Sequence, residues 1–169
     1  YFIVGHLHYV LFGGSLFGIF AGITFWYPKM FGRMLNEKLG KLHWLLTFIF
    51  FNTVMFPMFI LGVAGMPRRI YDYTQYAHLA HVGGLNRMMT IGAFCLGLAQ
   101  LLFMVNFFWS MFRGKEAGEN PWQANTLEWT TASPPPHGNF AKTPTVYHGP
   151  YEYSVPGRKD DWLRQDVSA

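Results

Sequence analysis

Residues 42–67 read LHWLLTFIFFNTVMFPMFILGVAGMP and contain no Asp, Glu, Lys or Arg. Two further stretches of the 169-residue chain, 1–28 and 88–112, also lack these four residue types. About twenty apolar residues are enough for a helix to cross the hydrocarbon core of a bilayer, so each stretch is long enough to span it. The sequence therefore predicts an all-α, polytopic membrane helix bundle with three transmembrane helices, at about 2–27, 42–64 and 85–112.

The composition separates this chain from soluble proteins. Only 13% of its residues are charged and 51% are hydrophobic, whereas about a quarter of the residues in a soluble domain are charged. Buried helices of a large soluble protein are the alternative, but the chain has no soluble shell that could cover three such stretches. The net charge of +4 comes from basic residues in loops beside the spans, so it does not indicate a nucleic-acid partner.

The basic residues also predict an orientation. Six of them follow the first or the third span, against three between the second and third spans. Loops rich in Lys and Arg stay on the cytoplasmic or matrix side, which places the first loop and the C-terminal tail there. Residues 115–169 are polar, contain proline and show no sustained period, so we expect two domains: membrane helices with short loops over 1–114, and an extended, irregular tail over 115–169.

Features inside the spans predict how they end and pack. Pro28 is expected to stop the first helix, and Pro57 is expected to kink the second. Small residues four apart let helices approach closely in lipid, and the first span has three of them, at Gly14, Gly18 and Gly22. The third span carries polar side chains that we expect to form interhelical hydrogen bonds: Asn86, Gln100 and Asn106.

The pair His6 and His8 carries the clearest chemical signal. Residues two apart on a helix lie about 200° apart around its axis, so the two imidazoles cannot chelate one ion. Zinc sites on helices need a spacing of three or four, whereas a haem iron takes one axial imidazole from a given helix. Two different metal centres are therefore the favoured reading, and hydrogen-bonded histidines without metal are the alternative.

Arg68 and Arg69 directly follow the end of the second span. Two antiparallel spans return the chain to the membrane face near which His6 and His8 lie. Guanidinium groups at that face can bind haem propionates through charge-assisted hydrogen bonds. Alone, two interface arginines would be interpreted as contacts to lipid headgroups, but the nearby histidine pair favours propionates.

The other histidines and the single cysteine carry weaker signals. His78 and His81 are three apart and could form a metal pair, but without a further ligand nearby a solvated or interfacial pair is favoured. No role is assigned to His43, His137 or His148. Cys95 lies in the middle of the third span and is read as a small residue packed between helices.

Taken together, these motifs resemble the catalytic subunit of the haem-copper oxygen reductases, in its cytochrome c oxidase branch. The resemblance covers nearly the whole chain and extends over the tenth to twelfth helices and the tail of a twelve-helix subunit. We therefore expect the chain to be the C-terminal piece of a longer subunit, with Tyr1 inside a membrane helix. The matching segments are HLHYVL at 6–11, LNE at 35–37, GVAGMPRR at 62–69, TIG at 90–92, NPW at 120–122, TLEWT at 126–130 and SPPP at 133–136.

The resemblance implies a role for each candidate site residue. His6 corresponds to the axial ligand of the high-spin haem iron, where oxygen binds opposite a copper. His8 corresponds to one of the two axial ligands of the low-spin haem iron. Arg68 and Arg69 correspond to the partners of the propionates. The implied cofactors are two haems of the a type, with copper in the complete subunit held by ligands outside this chain.

The resemblance also implies an activity and partners. Electrons would pass from cytochrome c through the low-spin haem to a haem-copper centre that reduces oxygen to water with proton pumping. Expected partners are the remaining helices of the subunit, subunits II and III, cytochrome c and lipid, in a bacterial plasma membrane or a mitochondrial inner membrane. The fragment alone is expected to be inactive. The alternatives are a quinol oxidase of the same family, a non-catalytic split subunit and a metal-ion transporter.

Overall fold

The structure is a computed structural model that describes residues 1–168. Its first apolar stretch is a continuous helix with three parts: α1 (Phe2–Leu7), a π-helix, π1 (His8–Leu16), and α2 (Phe17–Phe31). The second span is α3 (Glu37–Val63) and the third is α4 (Gly83–Arg113). All three are long and apolar enough to cross a membrane. Residues 1–168 form no β-sheet, so the predicted all-α membrane class is confirmed.

The first helix does not end at Pro28, where the sequence placed its end. Pro28 lies inside α2, which continues to Phe31. Proline costs a helix one N–H donor, and membrane helices tolerate that loss when neighbouring groups satisfy the freed carbonyl. The helix ends instead at Gly32, whose φ of +64° is a left-handed conformation that glycine adopts without a Cβ penalty. The amide of Gly32 donates to the carbonyl of Pro28 at 2.8 Å and closes the last turn.

The first and second spans meet through glycines. A Cβ on Gly62 would stand 2.2 Å from the backbone nitrogen of Phe2, and a Cβ on Gly5 would stand 3.0 Å from the Cβ of Met58. Neither position has room for a side chain, so the two backbones approach as closely as small residues allow. The glycines that the sequence singled out for close packing do not form this contact. An added Cβ on Gly14 or Gly18 would have no described atom within 4 Å outside the backbone of its own helix.

A cluster of buried apolar side chains joins the second span to the start of the third. Its members come mostly from α3, with additions from the loop and from α4: Phe51, Val54, Met55, Met58, Leu61, Met66, Leu79 and Met89. Many other apolar side chains on the three helices are exposed, as expected of surfaces that contact lipid or further helices. These outward-facing residues agree with a helix bundle that is embedded in a membrane.

The described chain divides into two compact units. The first comprises residues 1–22 and 37–108, and the second comprises residues 23–36 and 109–168. Among the described residues beyond α4, the single helical segment is the 3-10 turn Leu127–Trp129, so most of this part of the chain is irregular. Asn125 organises it: its Oδ1 accepts from the amide of Leu163 at 2.9 Å, and its Nδ2 donates to the carbonyl of Glu152 at 3.0 Å.

Candidate functional site

The backbone around the two histidines fixes their relative directions. Leu7 and His8 both have right-handed helical dihedrals, so each residue from Gly5 to His8 advances about 100° around the axis. Gly5 is buried against Met58 on α3. His6 therefore lies about 100° to one side of the packed face, and His8 lies about 60° to the other side. The predicted divergence of the two imidazoles is present: the helix presents them on opposite flanks.

The ring of His8 is held in one orientation. Its Nδ1 lies 2.7 Å from the carbonyl oxygen of Val4, one turn earlier. A carbonyl oxygen can only accept a hydrogen bond, so Nδ1 is the donor in this contact and Nε2 takes no part in it. Such a bond at one ring nitrogen fixes which nitrogen is available to a metal. The Nε2 of His8 is thus the ring nitrogen that is available to a metal ion.

The π-helix begins at His8 itself. A π-helical turn closes with hydrogen bonds between residues five apart, and such turns are frequent at functional sites. Here it runs for nine residues, His8–Leu16. Tyr9, at its start, donates its hydroxyl to the Oδ1 of Asn52 at 2.7 Å and packs edge-on against the ring of Phe51 at 5.0 Å. These contacts secure the turn that carries His8 against the second span.

The two arginines lie at the end of the bundle where the first span begins. The backbone nitrogen of Tyr1 donates to the carbonyl of Met66 at 3.1 Å, so the start of the first span lies beside the exit of the second. His6 and His8 are five and seven residues further along, about 7 and 10 Å by helical rise. Arg68 and Arg69 are both exposed. The two arginines thus follow a segment that contacts the start of the helix on which both histidines lie.

The turn that presents the arginines has an unusual backbone. Arg69 has a φ of +59°, a left-handed conformation that costs a non-glycine residue about 1 kcal/mol. Strain of this kind is concentrated at functional sites. Asp72 follows in the same loop, and hydrogen bonds from the hydroxyl and the amide of Thr74 hold the pKa of its carboxyl below its usual range.

The donor set fits single axial ligands and does not fit a protein metal cage. Within residues 1–168, no three His, Cys, Asp or Glu side chains come together. A structural metal site would need about four such ligands. A haem iron needs only one imidazole on a given side and takes its other ligands from the porphyrin. The separated imidazoles of His6 and His8 meet that requirement.

Sequence reasoning missed a polar network between the second and third spans. His43, to which no role was assigned, is buried, and its Nε2 lies 3.1 Å from the Oε1 of Gln100. The Nε2 of Gln100 donates to the hydroxyl of buried Thr47 at 3.1 Å. The prediction that Gln100 bonds across helices is confirmed. The sequence feature that could have indicated this network is the spacing of four between His43 and Thr47, which puts both polar side chains on one helix face.

The chain is similar to a known family of membrane proteins. Residues 1–95 match the family model of cytochrome c and quinol oxidase polypeptide I. The chain is 50% identical over 155 residues to the cytochrome c oxidase subunit 1 of Synechocystis, covering 92% of the chain and 27% of that protein. It is 45% identical to the cytochrome c oxidase subunit 1 of Bacillus subtilis, covering 86% of the chain and 23% of that protein.

A third relative extends the match along the chain. The alternative cytochrome c oxidase subunit 1 of Bradyrhizobium diazoefficiens is 43% identical over 98% of the chain and 28% of its own length. The chain thus spans about a quarter of the length of the relatives it matches. The family match covers more than half of the chain and includes both histidines and both arginines. The chain therefore belongs to the cytochrome c and quinol oxidase polypeptide I family.

Proposed function

We propose that this chain forms one side of two haem pockets in the catalytic subunit of a respiratory cytochrome c oxidase. His6 would bind the iron of the high-spin haem, and His8 would supply one ligand to the iron of the low-spin haem. The observation that carries the proposal is the position of these imidazoles on opposite flanks of one helix, with the His8 ring bonded to Val4 through Nδ1. One helix then separates the two pockets and supplies one ligand to each.

The residues around His8 position this ligand. The Nδ1 bond to the carbonyl of Val4 selects the tautomer and raises the basicity of Nε2. Tyr9 holds the start of π1 against Asn52 on the second span. Gly5 removes the side chain that would push the helix away from Met58. Together they keep the imidazole direction fixed relative to the second span.

Arg68 and Arg69 bind the propionates in this proposal. Their support is the hydrogen bond between Tyr1 and Met66, which sets the arginine turn beside the start of the histidine helix. Guanidinium groups form short, charge-assisted bonds with carboxylates. Their positive charge also favours the reduced form of a nearby haem. The haems supply electron transfer and oxygen reduction, while the chain contributes ligation, charge and exclusion of water.

The arginine assignment predicts a shift in redox potential. Arg68→Gln removes a positive charge near the low-spin haem and should lower its midpoint potential in a spectroelectrochemical titration of the complete enzyme. Arg87→Gln is the matched control, because Arg87 is also exposed and lies in the helix after the same loop. Its potential should equal that of the unmodified enzyme. Equal potentials in all three proteins would contradict the propionate role.

The proposal also includes an electron donor and a location in the cell. We infer cytochrome c as the electron donor, since Tyr9 and Pro67 resemble the cytochrome c branch more than the quinol branch. We place the protein in a bacterial plasma membrane, with residues 1–114 as its membrane part and the tail from 115 on the cytoplasmic side. The basic residues after the first and third spans support that orientation.

A difference spectrum tests the proposed function. The native membrane complex containing this chain is reduced, and its spectrum is compared with that of the oxidised complex, with and without carbon monoxide. We expect two haem signals, only one of them sensitive to carbon monoxide. Oxidation of added cytochrome c, but not of a quinol, would support the donor. A complex without haem signals would overturn the proposal and favour a non-catalytic, oxidase-derived subunit.

A further inference from the structure

The loop between the second and third spans contains a short repeat. Residues 77–82 read AHLAHV, which is Ala-His-Leu followed by Ala-His-Val. In the structure this segment is a 3-10 helix, Ala77–Val82. A 3-10 helix has three residues per turn, so residues three apart eclipse one another. The period of the sequence equals the period of the helix, and each position of the repeat forms one face.

Burial separates the three faces. Leu79 is 1% exposed and belongs to the apolar cluster, and Val82 packs against the same cluster. Ala77 and Ala80 are exposed and leave space beside the histidines. His78 and His81 are both exposed, and the three-residue period of the 3-10 helix puts them on the same face, about 6 Å apart by helical rise. On an α-helix the same spacing would turn the two side chains about 60° apart.

The imidazoles of His78 and His81 have no structural role that would occupy their ring nitrogens among the described residues. Within residues 1–168, the ring nitrogens of His78 and His81 take part in no hydrogen bond or ion pair. The His78 ring lies edge-on to Tyr76 at 5.9 Å. Its Nε2 would lie 3.4 Å from a Cβ on Gly65. Gly65 therefore leaves room for the His78 ring at the exit of the second span.

We propose that His78 and His81 form a two-imidazole site for a borderline divalent cation such as Zn²⁺ or Ni²⁺. Imidazole nitrogen is a preferred ligand of these ions. Since no third protein ligand is close among residues 1–168, water completes the coordination sphere. The site is surface-exposed and binds more weakly than a four-ligand structural site. It does not depend on the haem assignments of His6 and His8.

Zinc titration of the purified complete enzyme tests the site. Isothermal titration with Zn²⁺ is compared for the unmodified enzyme, His78→Asn, His81→Asn and the tail variant His137→Asn. Binding through both imidazoles makes the second contact intramolecular, so either loop substitution should weaken the site about tenfold or more. His137→Asn should bind as the unmodified enzyme does, because His137 is exposed and lies in the tail. Unchanged haem spectra in all variants establish that they are folded.

A register variant separates the pair from two independent histidines. The double substitution A80H/H81A keeps two histidines but sets them two apart, about 240° around a 3-10 helix. It should lose the site as the single variants do. Three results would overturn the proposal: zinc binding by this variant at unchanged affinity, single variants that keep full affinity and lose half the stoichiometry, or titrations that are identical for all the proteins.

Discussion

Each of the two compact units of this chain is stabilised internally by a different kind of contact. In the unit of residues 1–22 and 37–108, close backbone approach at Gly5 and Gly62 and a cluster of apolar side chains join the spans. In the unit of residues 23–36 and 109 onward, polar side chains bind distant backbone carbonyls. Lys29 is buried and donates to the carbonyls of Thr131, Glu119 and Ala132, at 2.7, 3.3 and 3.3 Å.

The two units differ in the interaction that contributes most to their stability, which is apolar packing in the first and hydrogen bonding in the second. Apolar packing is distributed over many atoms, so a single lost methyl group costs about 1 kcal/mol, whereas a clash between two backbones cannot be relieved by a change of rotamer. Hydrogen bonds from Lys29, Asn125 or Gln165 are few, and each leaves buried groups without a partner when it is lost. We therefore expect the first unit to be most sensitive to added volume and the second to removed polar groups.

The largest effect is expected from Gly62→Ala. The new Cβ would lie 2.2 Å from the backbone nitrogen of Phe2, so the first and second spans must separate. We expect a loss of about 3 kcal/mol or more in stability, seen as a loss of haem from the purified enzyme on mild heating. Gly118→Ala is the control, since an added Cβ there meets no described atom within 4 Å. Equal heat sensitivity of both variants would contradict glycine-mediated packing.

A smaller loss is expected from Asn125→Ala in the tail. Asn125 is fully buried, and its side chain satisfies the amide of Leu163 and the carbonyl of Glu152. Leaving these groups unpaired should cost about 2 kcal/mol and open the tail locally. Limited proteolysis of the enzyme should then cut the tail faster, while the haem spectrum stays unchanged. Thr143→Ala, at an exposed position, should be cut at the original rate.

The smallest effect is a pH dependence of the tail. Arg164 donates to both carboxylate oxygens of Asp166, at 2.9 and 2.6 Å, and these bonds hold the pKa of Asp166 below its usual range. A lowered folded-state pKa stabilises the tail above the unfolded pKa, near pH 4, and that stabilisation is lost as the pH falls through the folded value. Because both groups are partly exposed, we expect at most about 1 kcal/mol.

The same proteolysis assay measures this dependence. The ratio of cleavage rates for Asp166→Asn and the unmodified enzyme should be greatest near neutral pH and approach one in acid. Asp160→Asn is a matched control, because Asp160 is exposed and forms no ion pair among residues 1–168. A ratio that stays constant over the whole acid range would show that the Arg164–Asp166 pair does not stabilise the tail.

The sequence was sufficient for the spans and for the directions of the histidines. Charge-free stretches of more than twenty residues predict membrane-spanning helices, and helical geometry alone separates His6 from His8. The predicted end of the first helix at Pro28 was wrong because membrane helices tolerate an internal proline. The helix ends at Gly32, which has a left-handed backbone conformation. The nine-residue π-helix has no sequence rule of comparable strength.

Other features depend on contacts between residues far apart in the chain. His43 pairs with Gln100, 57 residues away, and the tail closes when Asn125 binds Leu163, 38 residues away. A sequence pattern with a period of 3.6 residues identifies which residues share a helix face. It does not identify the residue on another helix or loop with which they form a hydrogen bond. Polar side chains that bind backbone groups follow no period, so the organisation of the tail could not be predicted.

The central claim is that one helix supplies separate ligands to two haems. The most direct measurement is the carbon monoxide difference spectrum of the complete enzyme carrying either His6→Ala or His8→Ala. We predict that His6→Ala abolishes carbon monoxide binding and spares most of the low-spin signal, while His8→Ala loses the low-spin signal and retains carbon monoxide binding. Retention of both signals in both variants would contradict the assignment of the two histidines.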